Sequence, residues 1–339
     1  MDDFVKLSAE DQRVYCEQAQ AKLGLPPASI EKDFWVCWTL RELFNLQEWG
    51  EHLVFKGGTS LSKAWKLIER FSEDIDIVID REFLGFRGAT LSGNQQKKLV
   101  KRCGLRIDQD LRPALKERFS SLLPRSAEWS LVLADAEEDK DRQTLLFTYP
   151  GALKSTVAYL RPVVKIELGA RSDPEPRETT QLRSYVCDAF PDQLGSGEFS
   201  VSTVAARRTF WEKAMLLHEE TFRPAEKPRT RPLARHYYDV WALIRKGVGA
   251  EALADNGLFE RVAAHRRMFF AYTWVDYSTL RPGSLRLLPA KEQAEGWRGD
   301  YGAMREEMFF GDVPTFDEIL EVVGDFEREF NSLVGGAGD

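Results

Sequence analysis

Lys56-Gly57-Gly58-Thr59-Ser60-Leu61-Ser62-Lys63, followed shortly by Arg70-Phe71-Ser72-Glu73-Asp74-Ile75-Asp76, is the stretch whose reading decides the fold. Just before it, His52 to Phe55 is a short apolar run closed by two glycines, which predicts a buried strand ending in a glycine turn. Thr59 to Glu69 carries Leu61, Ala64, Trp65 and Ile68 on one side at helical spacing, so the turn should open a helix. Asp74 to Asp80 then alternates acids with Ile75, Ile77 and Ile79, and a period of two predicts a second strand. On that strand Asp74 and Asp76 share a face, with Cα atoms about 6 to 7 Å apart. The isoleucines take the other face into the core and fix the register. Two carboxylates so placed can grip one divalent ion, and hard oxygen ligands suit Mg²⁺ or Mn²⁺.

The glycine turn supplies the other half of a site. Unpaired backbone N–H groups and the dipole at a helix start favour an anion, and glycine lets a phosphate approach the backbone. Gly57, Gly58, Thr59 and Ser60 are therefore candidate contacts for a triphosphate. Further along, the strand expected over Pro162 to Leu168 puts Val163, Lys165 and Glu167 on one face and Val164, Ile166 and Leu168 on the other. Glu167 thus becomes a candidate third carboxylate. A phosphate-binding turn, an Asp-x-Asp strand and a distant third acid together describe a two-metal phosphoryl-transfer site. The competing reading of the same residues is an acidic edge-strand face and a helix cap without a ligand.

Working outward, Ile30, Phe34, Cys37, Trp38, Leu40 and Leu43 recur at helical spacing, behind Ser29 as a possible cap and Pro26-Pro27, and predict a helix from Ser29 to Leu43. A long amphipathic helix, read as an insertion over 93–123, follows from Leu99, Cys103, Ile107, Leu111, Leu115, Phe119 and Leu122, with Lys97, Lys98, Lys101 and Arg102 alongside. Trp129 to Ala134 and Thr144 to Tyr149, separated by an acidic stretch, predict a hairpin. Beyond Pro176 the pattern turns helical, with segments from Val204 to Glu220 and from Tyr237 to Lys246. The expected organisation is a core over 1–200, a helical part over 201–334 that contributes site residues, and a flexible tail over 335–339.

With 339 residues, 43% apolar and 30% charged, the chain can bury a core, and 21 Phe and 9 Trp exclude a disordered class. Its 47 Lys plus Arg against 54 Asp plus Glu leave a net charge of −7, so any nucleic-acid contact must be a local patch. Two such patches suggest themselves: the basic stretch with Arg223, Lys227, Arg229, Arg231 and Arg235, and the aromatics Phe269, Phe270, Tyr272 and Trp274 beside His265-Arg266-Arg267. Cys16, Cys37, Cys103 and Cys187 form no C-x-x-C pair, which argues against a zinc ribbon or disulfide framework and fits a reducing cytosol. No apolar run is long enough to span a bilayer, and the first residues have no leader pattern, so a cytoplasmic protein is expected. His218-Glu219-Glu220 has Phe222 where a zinc protease needs its second histidine, and no Walker A sequence occurs.

The Gly57 to Leu61 and Arg70 to Asp76 motifs closely resemble those of the AbiEii/AbiGii nucleotidyltransferase-like toxins, within the polymerase-beta-type nucleotidyltransferase superfamily. Glu31-Lys32-Asp33-Phe34-Trp35-Val36 is similar to the leader helix of that family, and Val164-Lys165-Ile166-Glu167 to its third acidic strand. Trp211-Glu212-Lys213-Ala214 and Arg235-His236-Tyr237-Tyr238-Asp239-Val240 are similar to its later motifs. The resemblance spans roughly 29 to 245. It implies an α/β fold with a nucleotidyltransferase-type mixed sheet, flanking helices and a mostly helical C-terminal part. It also implies Mg²⁺ or Mn²⁺, a nucleoside triphosphate, a tRNA 3′ end as acceptor, and a cognate antitoxin. Asp74, Asp76 and Glu167 are then the metal ligands, Lys213 a phosphate contact and Asp239 a site-completing carboxylate. Lys63, Arg70 and Ser72 join the glycine turn in holding the nucleotide, and Ser72 is also a candidate target for modification by the antitoxin. A small-molecule nucleotidyltransferase and a non-catalytic nucleotide-binding module are the alternatives.

Overall fold

The computed structural model describes residues 1–88, 90–153, 161–309 and 313–333. The tail expected over 335–339 lies outside the described residues. The chain divides into two compact units: Met1–Ala64 with Ser72–Val204, and Trp65–Phe71 with Ala205–Asp339.

In the first unit, α1 (Asp2–Lys6), α2 (Ala9–Leu23) and α3 (Pro27–Phe44) precede β1 (Leu53–Lys56) and a short helical turn, α4 (Gly57–Thr59). Helix α3 begins ahead of Ser29 because Pro27, with φ already set and no N–H to satisfy, suits the first helical position. Its residues are almost all buried. The helix expected over Thr59 to Glu69 stops at Ala64 after a π turn over Ser60–Ala64. Lys66 then takes φ +54°, a left-handed value that no helix continues through, and the chain passes into the second unit.

Next come β2 (Ile75–Ile79), α5 (Gly93–Arg106), α6 (Arg112–Leu122), β3 (Ser130–Leu133), β4 (Thr144–Thr148), β5 (Val163–Gly169), β6 (Arg177–Leu182), α7 (Tyr185–Ala189), α8 (Pro191–Leu194) and β7 (Phe199–Val204). A π turn over Ile107–Leu111 joins α5 to α6. Its cause is visible in the sequence. Leu99, Cys103, Ile107, Leu111, Leu115 and Phe119 recur every four residues, and in an ideal α-helix each such step drifts by about 40°. The wider π turn resets the phase, and all six side chains are fully buried.

The seven strands form one mixed sheet in the order β3-β4-β5-β2-β1-β7-β6. Strand β2 runs antiparallel to β1 and parallel to β5, and β1 runs parallel to β7. Ile75, Ile77 and Ile79 are buried as expected, and β5 alternates half-buried and buried residues along its whole length. Helix α3 packs on the isoleucine face, where Trp38 meets Phe119 at 4.7 Å and Phe119 meets Phe147 at 4.7 Å. Strands β6 and β7 lie where a helical pattern was expected to begin. Most of β6 is exposed, so little apolar alternation marks it. In β7 the buried side chains include Thr203, whose hydroxyl is satisfied by Thr180 at 2.6 Å. The first helix of the second unit accordingly starts at Ala206, not Val204.

The second unit is helical: α9 (Ala206–Thr221), α10 (Arg235–Arg245), α11 (Val248–Ala254), α12 (Asn256–Phe269), α13 (Lys291–Met308) and α14 (Phe316–Ser332). Trp211 packs against Phe259 and Phe330 at 4.8 and 5.3 Å, tying α9 to α12 and α14. Thr315 and Glu318 form a capping box at the start of α14. Among the described residues, no helix is long and apolar enough to cross a membrane.

Candidate active site

On the sheet face opposite α3, Lys56, Asp76, Glu167 and Thr144 follow one another across neighbouring strands as register partners. Asp74 lies just before β2 and, like Asp76, is half-buried. Further along the same face, Val54, Val78 and Val204 close a small apolar cluster that leaves the acids at one end.

Gly57 holds φ +82°, and a Cβ built on it would lie 1.9 Å from Oδ2 of Asp76. Glycine is therefore required twice, for the backbone conformation and for the space the carboxylate occupies. Thr59 fixes the other carboxylate's backbone: its hydroxyl donates to the Asp74 carbonyl at 2.5 Å and lies 2.9 Å from the Ser72 hydroxyl. The Ser60 hydroxyl donates to the Gly57 carbonyl at 2.9 Å and is fully buried. Strand end, glycine turn and β2 are thus tied together by side chains from the turn itself.

Lys63 faces inward. Its ammonium pairs with Asp33 at 2.7 Å and sits 3.5 Å from the centre of the Tyr185 ring. Burial opposes its charge, but Asp33 prevails and raises its pKa. The sequence groups Lys63 with the nucleotide contacts; in the structure it is an internal anchor of the turn. Glu167 pairs with Lys165, two residues away on the same face. Lys32 reaches Glu73 at 3.0 Å and donates to the Arg161 carbonyl at 3.0 Å. Asp33 also accepts from the Tyr185 amide at 2.7 Å. Glu31 accepts from the amides of Ala152 and Leu153, and burial pushes its carboxyl up to about 7. Sequence reasoning missed these anchoring roles of 31–33. Their signal is three successive charged residues inside a helix whose neighbours are nearly all apolar.

In the second unit, Arg70 grips Asp239 with two hydrogen bonds, Nε to Oδ1 at 2.7 Å and Nη2 to Oδ2 at 2.8 Å. Lys213 Nζ approaches Oδ2 at 2.8 Å and His236 Nδ1 at 3.4 Å. Asp239 is completely buried. Burial by itself would raise its pKa, but Arg70 and then Lys213 hold the carboxyl well below the usual carboxylate range. Burial lowers Lys213, and Arg70 adds to that while Asp239 opposes it. His236 is pushed well below its ordinary value by burial and by Lys213, so its imidazole is neutral and accepts at Nδ1. The sequence picks out Arg70, Lys213 and Asp239 separately, and folding joins them through 169 residues of separation between Arg70 and Asp239.

Among the described residues, no three His, Cys, Asp or Glu side chains already converge as a metal-binding group, so an ion here would depend on substrate oxygens as well. Asp74 and Asp76, with Glu167 alongside, offer hard oxygen donors of the kind Mg²⁺ accepts when substrate phosphates complete its shell. His218 is a core residue: Nδ1 accepts from the Arg286 amide at 3.0 Å and Nε2 lies 3.0 Å from the Thr279 hydroxyl. All four cysteines are free and buried.

The described residues thus give a seven-stranded mixed sheet with helices in the first unit and a helical second unit. The model of one family, the AbiEii nucleotidyl transferase toxin of type IV toxin–antitoxin systems, matches residues 38–322, and the chain belongs to that family. It is a nucleotidyltransferase toxin, for which the family implies a nucleoside triphosphate substrate and an antitoxin partner. Among solved structures it is similar to JHP933 from Helicobacter pylori, at 13% identity over 97% of this chain and 95% of that one, with a TM-score of 0.40. It is also similar to MenT4, a nucleotidyltransferase toxin from Mycobacterium tuberculosis H37Rv, at 18% identity over 97% and 98%, with a TM-score of 0.40. No curated protein matches.

Proposed function

We propose that this toxin catalyses metal-dependent transfer of a nucleoside monophosphate from a nucleoside triphosphate to an acceptor hydroxyl at the 3′ end of a tRNA. The observation that carries this reading is the seating of the Asp76 carboxylate against Gly57 of the Gly-Gly turn, with Glu167 in register beside it. Asp74, Asp76 and Glu167 would hold Mg²⁺, which when bound neutralises the triphosphate and the pyrophosphate that leaves. The chain's own part is preorganisation. Thr59 fixes the backbone carrying Asp74, and the missing Gly57 side chain leaves room for Asp76 and for a phosphate. The acceptor hydroxyl gives up its proton to solvent as its oxygen bonds to the α-phosphorus, and the bond to the bridging oxygen breaks so that pyrophosphate departs. Lys213, which the family resemblance implies is a phosphate contact, has its ammonium oriented within its own unit by Asp239 and His236.

The test is incubation of the purified protein with total RNA, Mg²⁺ and each labelled nucleoside triphosphate in turn. Asp76→Ala should abolish both incorporation and toxicity while leaving the circular dichroism spectrum unchanged. Incorporation that survives the substitution would count against the proposal.

A further inference from the structure

The chain is acidic overall, yet from Phe83 to Ile107 it contains six Lys and Arg and no Asp or Glu. Helix α5 carries five of the six. Lys97, Lys98, Lys101 and Arg102 lie on its outer side, and among the described residues none of these four has an acidic partner. Arg106, by contrast, pairs with Asp110 one turn further on. At about 100° per residue the four cations spread over an arc of roughly 140°, opposite the buried Leu99 and Cys103. Lys97 to Lys101, and Lys98 to Arg102, each advance about 6 Å along the helix. Four unpaired cations on one helix face raise the protein's electrostatic energy, and an anionic partner removes that cost.

The helix also lies across the end of the sheet at which β4 begins. The Gln143 side chain donates to the Val100 carbonyl at 3.2 Å, and a Cβ on Gly104 would lie 2.5 Å from the Asp141 carbonyl, so α5 abuts the start of β4. The next residue, Thr144, is the register partner of Glu167, and Glu167 that of Asp76. The start of β4 is therefore two strand spacings, about 10 Å, from Asp76, and α5 touches it on the side of Ile77, away from Asp74.

We propose that the outer face of α5 is a docking surface for the phosphate backbone of single-stranded RNA, which lies along Lys97, Lys98, Lys101 and Arg102. This deepens the proposed transfer to RNA by naming where the strand lies, and rests on that reading for the choice of substrate. The composition of the face favours a nucleic acid over an acidic protein. A protein interface is built around a desolvated apolar centre in which lysine is depleted. Here lysines dominate, and Leu105, 43% exposed, is the one large apolar side chain among them. Lysine contacts of this type position a strand without reading its sequence.

The experiment measures binding of the full-length Asp76→Ala protein to a fluorescein-labelled oligouridylate by anisotropy, without nucleotide, across a salt series. Four phosphate contacts contribute a slope of about −3 to log affinity against log salt, which is about 50-fold between 50 and 200 mM. Adding Lys97→Gln, Lys98→Gln, Lys101→Gln and Arg102→Gln together should remove that share of the slope and leave the circular dichroism spectrum unchanged. An unchanged slope overturns the proposal. So does failure of the parent to bind the RNA, or a parent that binds labelled oligoglutamate in its place. Because no transfer is measured, a toxin that binds RNA through α5 but transfers to another acceptor would sink the proposed reaction and leave this surface standing.

Discussion

Gly57→Ala is the substitution whose consequence follows most directly from the structure. At φ +82° an alanine strains the backbone by about 1 to 2 kcal/mol. Its Cβ would lie 1.9 Å from Oδ2, 2.7 Å from Cγ and 3.0 Å from Cβ of Asp76, so the whole carboxylate must withdraw by more than about 1 Å. A displacement of that size at a reacting centre lowers the rate by about 100-fold. The expected outcome is a fall of a few degrees in melting temperature together with a loss of nucleotide incorporation of at least about 100-fold. Gly247→Ala separates the two effects. Gly247 has φ +86° with nothing within 4 Å of its Cβ, so alanine there brings strain without a clash. It should cost about the same in stability and leave incorporation within about twofold of the parent. Wild-type incorporation by Gly57→Ala would show that the position of the Asp76 carboxylate does not matter to the reaction.

The remaining predictions concern the second unit. Asp239→Asn leaves Arg70 and Lys213 buried without their counter-charge and should destabilise by about 3 to 5 kcal/mol in urea unfolding; a variant as stable as its parent would mean that the buried network does not hold the helices. Because the Asp239 carboxyl is held below its ordinary range, its contribution is present at neutral pH and is lost as pH falls below about 4. His218 acts in a higher window. Its imidazole stays neutral in the fold down to about 4, whereas the unfolded chain takes the proton near 6.5. Between those values the unfolded state binds more protons, so stability should fall by about 3 kcal/mol as pH drops through that range. His218→Asn should flatten the dependence, and an unflattened profile in thermal melts would assign it to other groups.

Local order is legible where side-chain period and backbone demand coincide. Ile75, Ile77 and Ile79 mark β2, the apolar stripe of α3 marks a buried helix, and the glycine pair marks the turn. Even the π turn between α5 and α6 is written in a four-residue apolar rhythm that a regular helix cannot satisfy. Strand β6 escapes because an exposed, polar strand at the sheet edge carries almost no alternation. Hydrophobic spacing carries the helix after Gly58 too far, because it does not register the left-handed Lys66, at which the chain leaves one unit for the other.

The sequence by itself determined which residue types face the core, where two carboxylates stand two positions apart, and that a glycine turn precedes them. Those properties depend on neighbours a few positions away, whose geometry is nearly fixed by backbone stereochemistry. Only the tertiary structure decided that Asp76 rests against Gly57, that Glu167 stands beside it, and that Lys63 turns inward to Asp33. It alone joined Arg70, Lys213 and Asp239 into one buried network. Such pairings turn on strand register and helix packing, which are set by the summed burial of many distant side chains, and no local pattern records that sum.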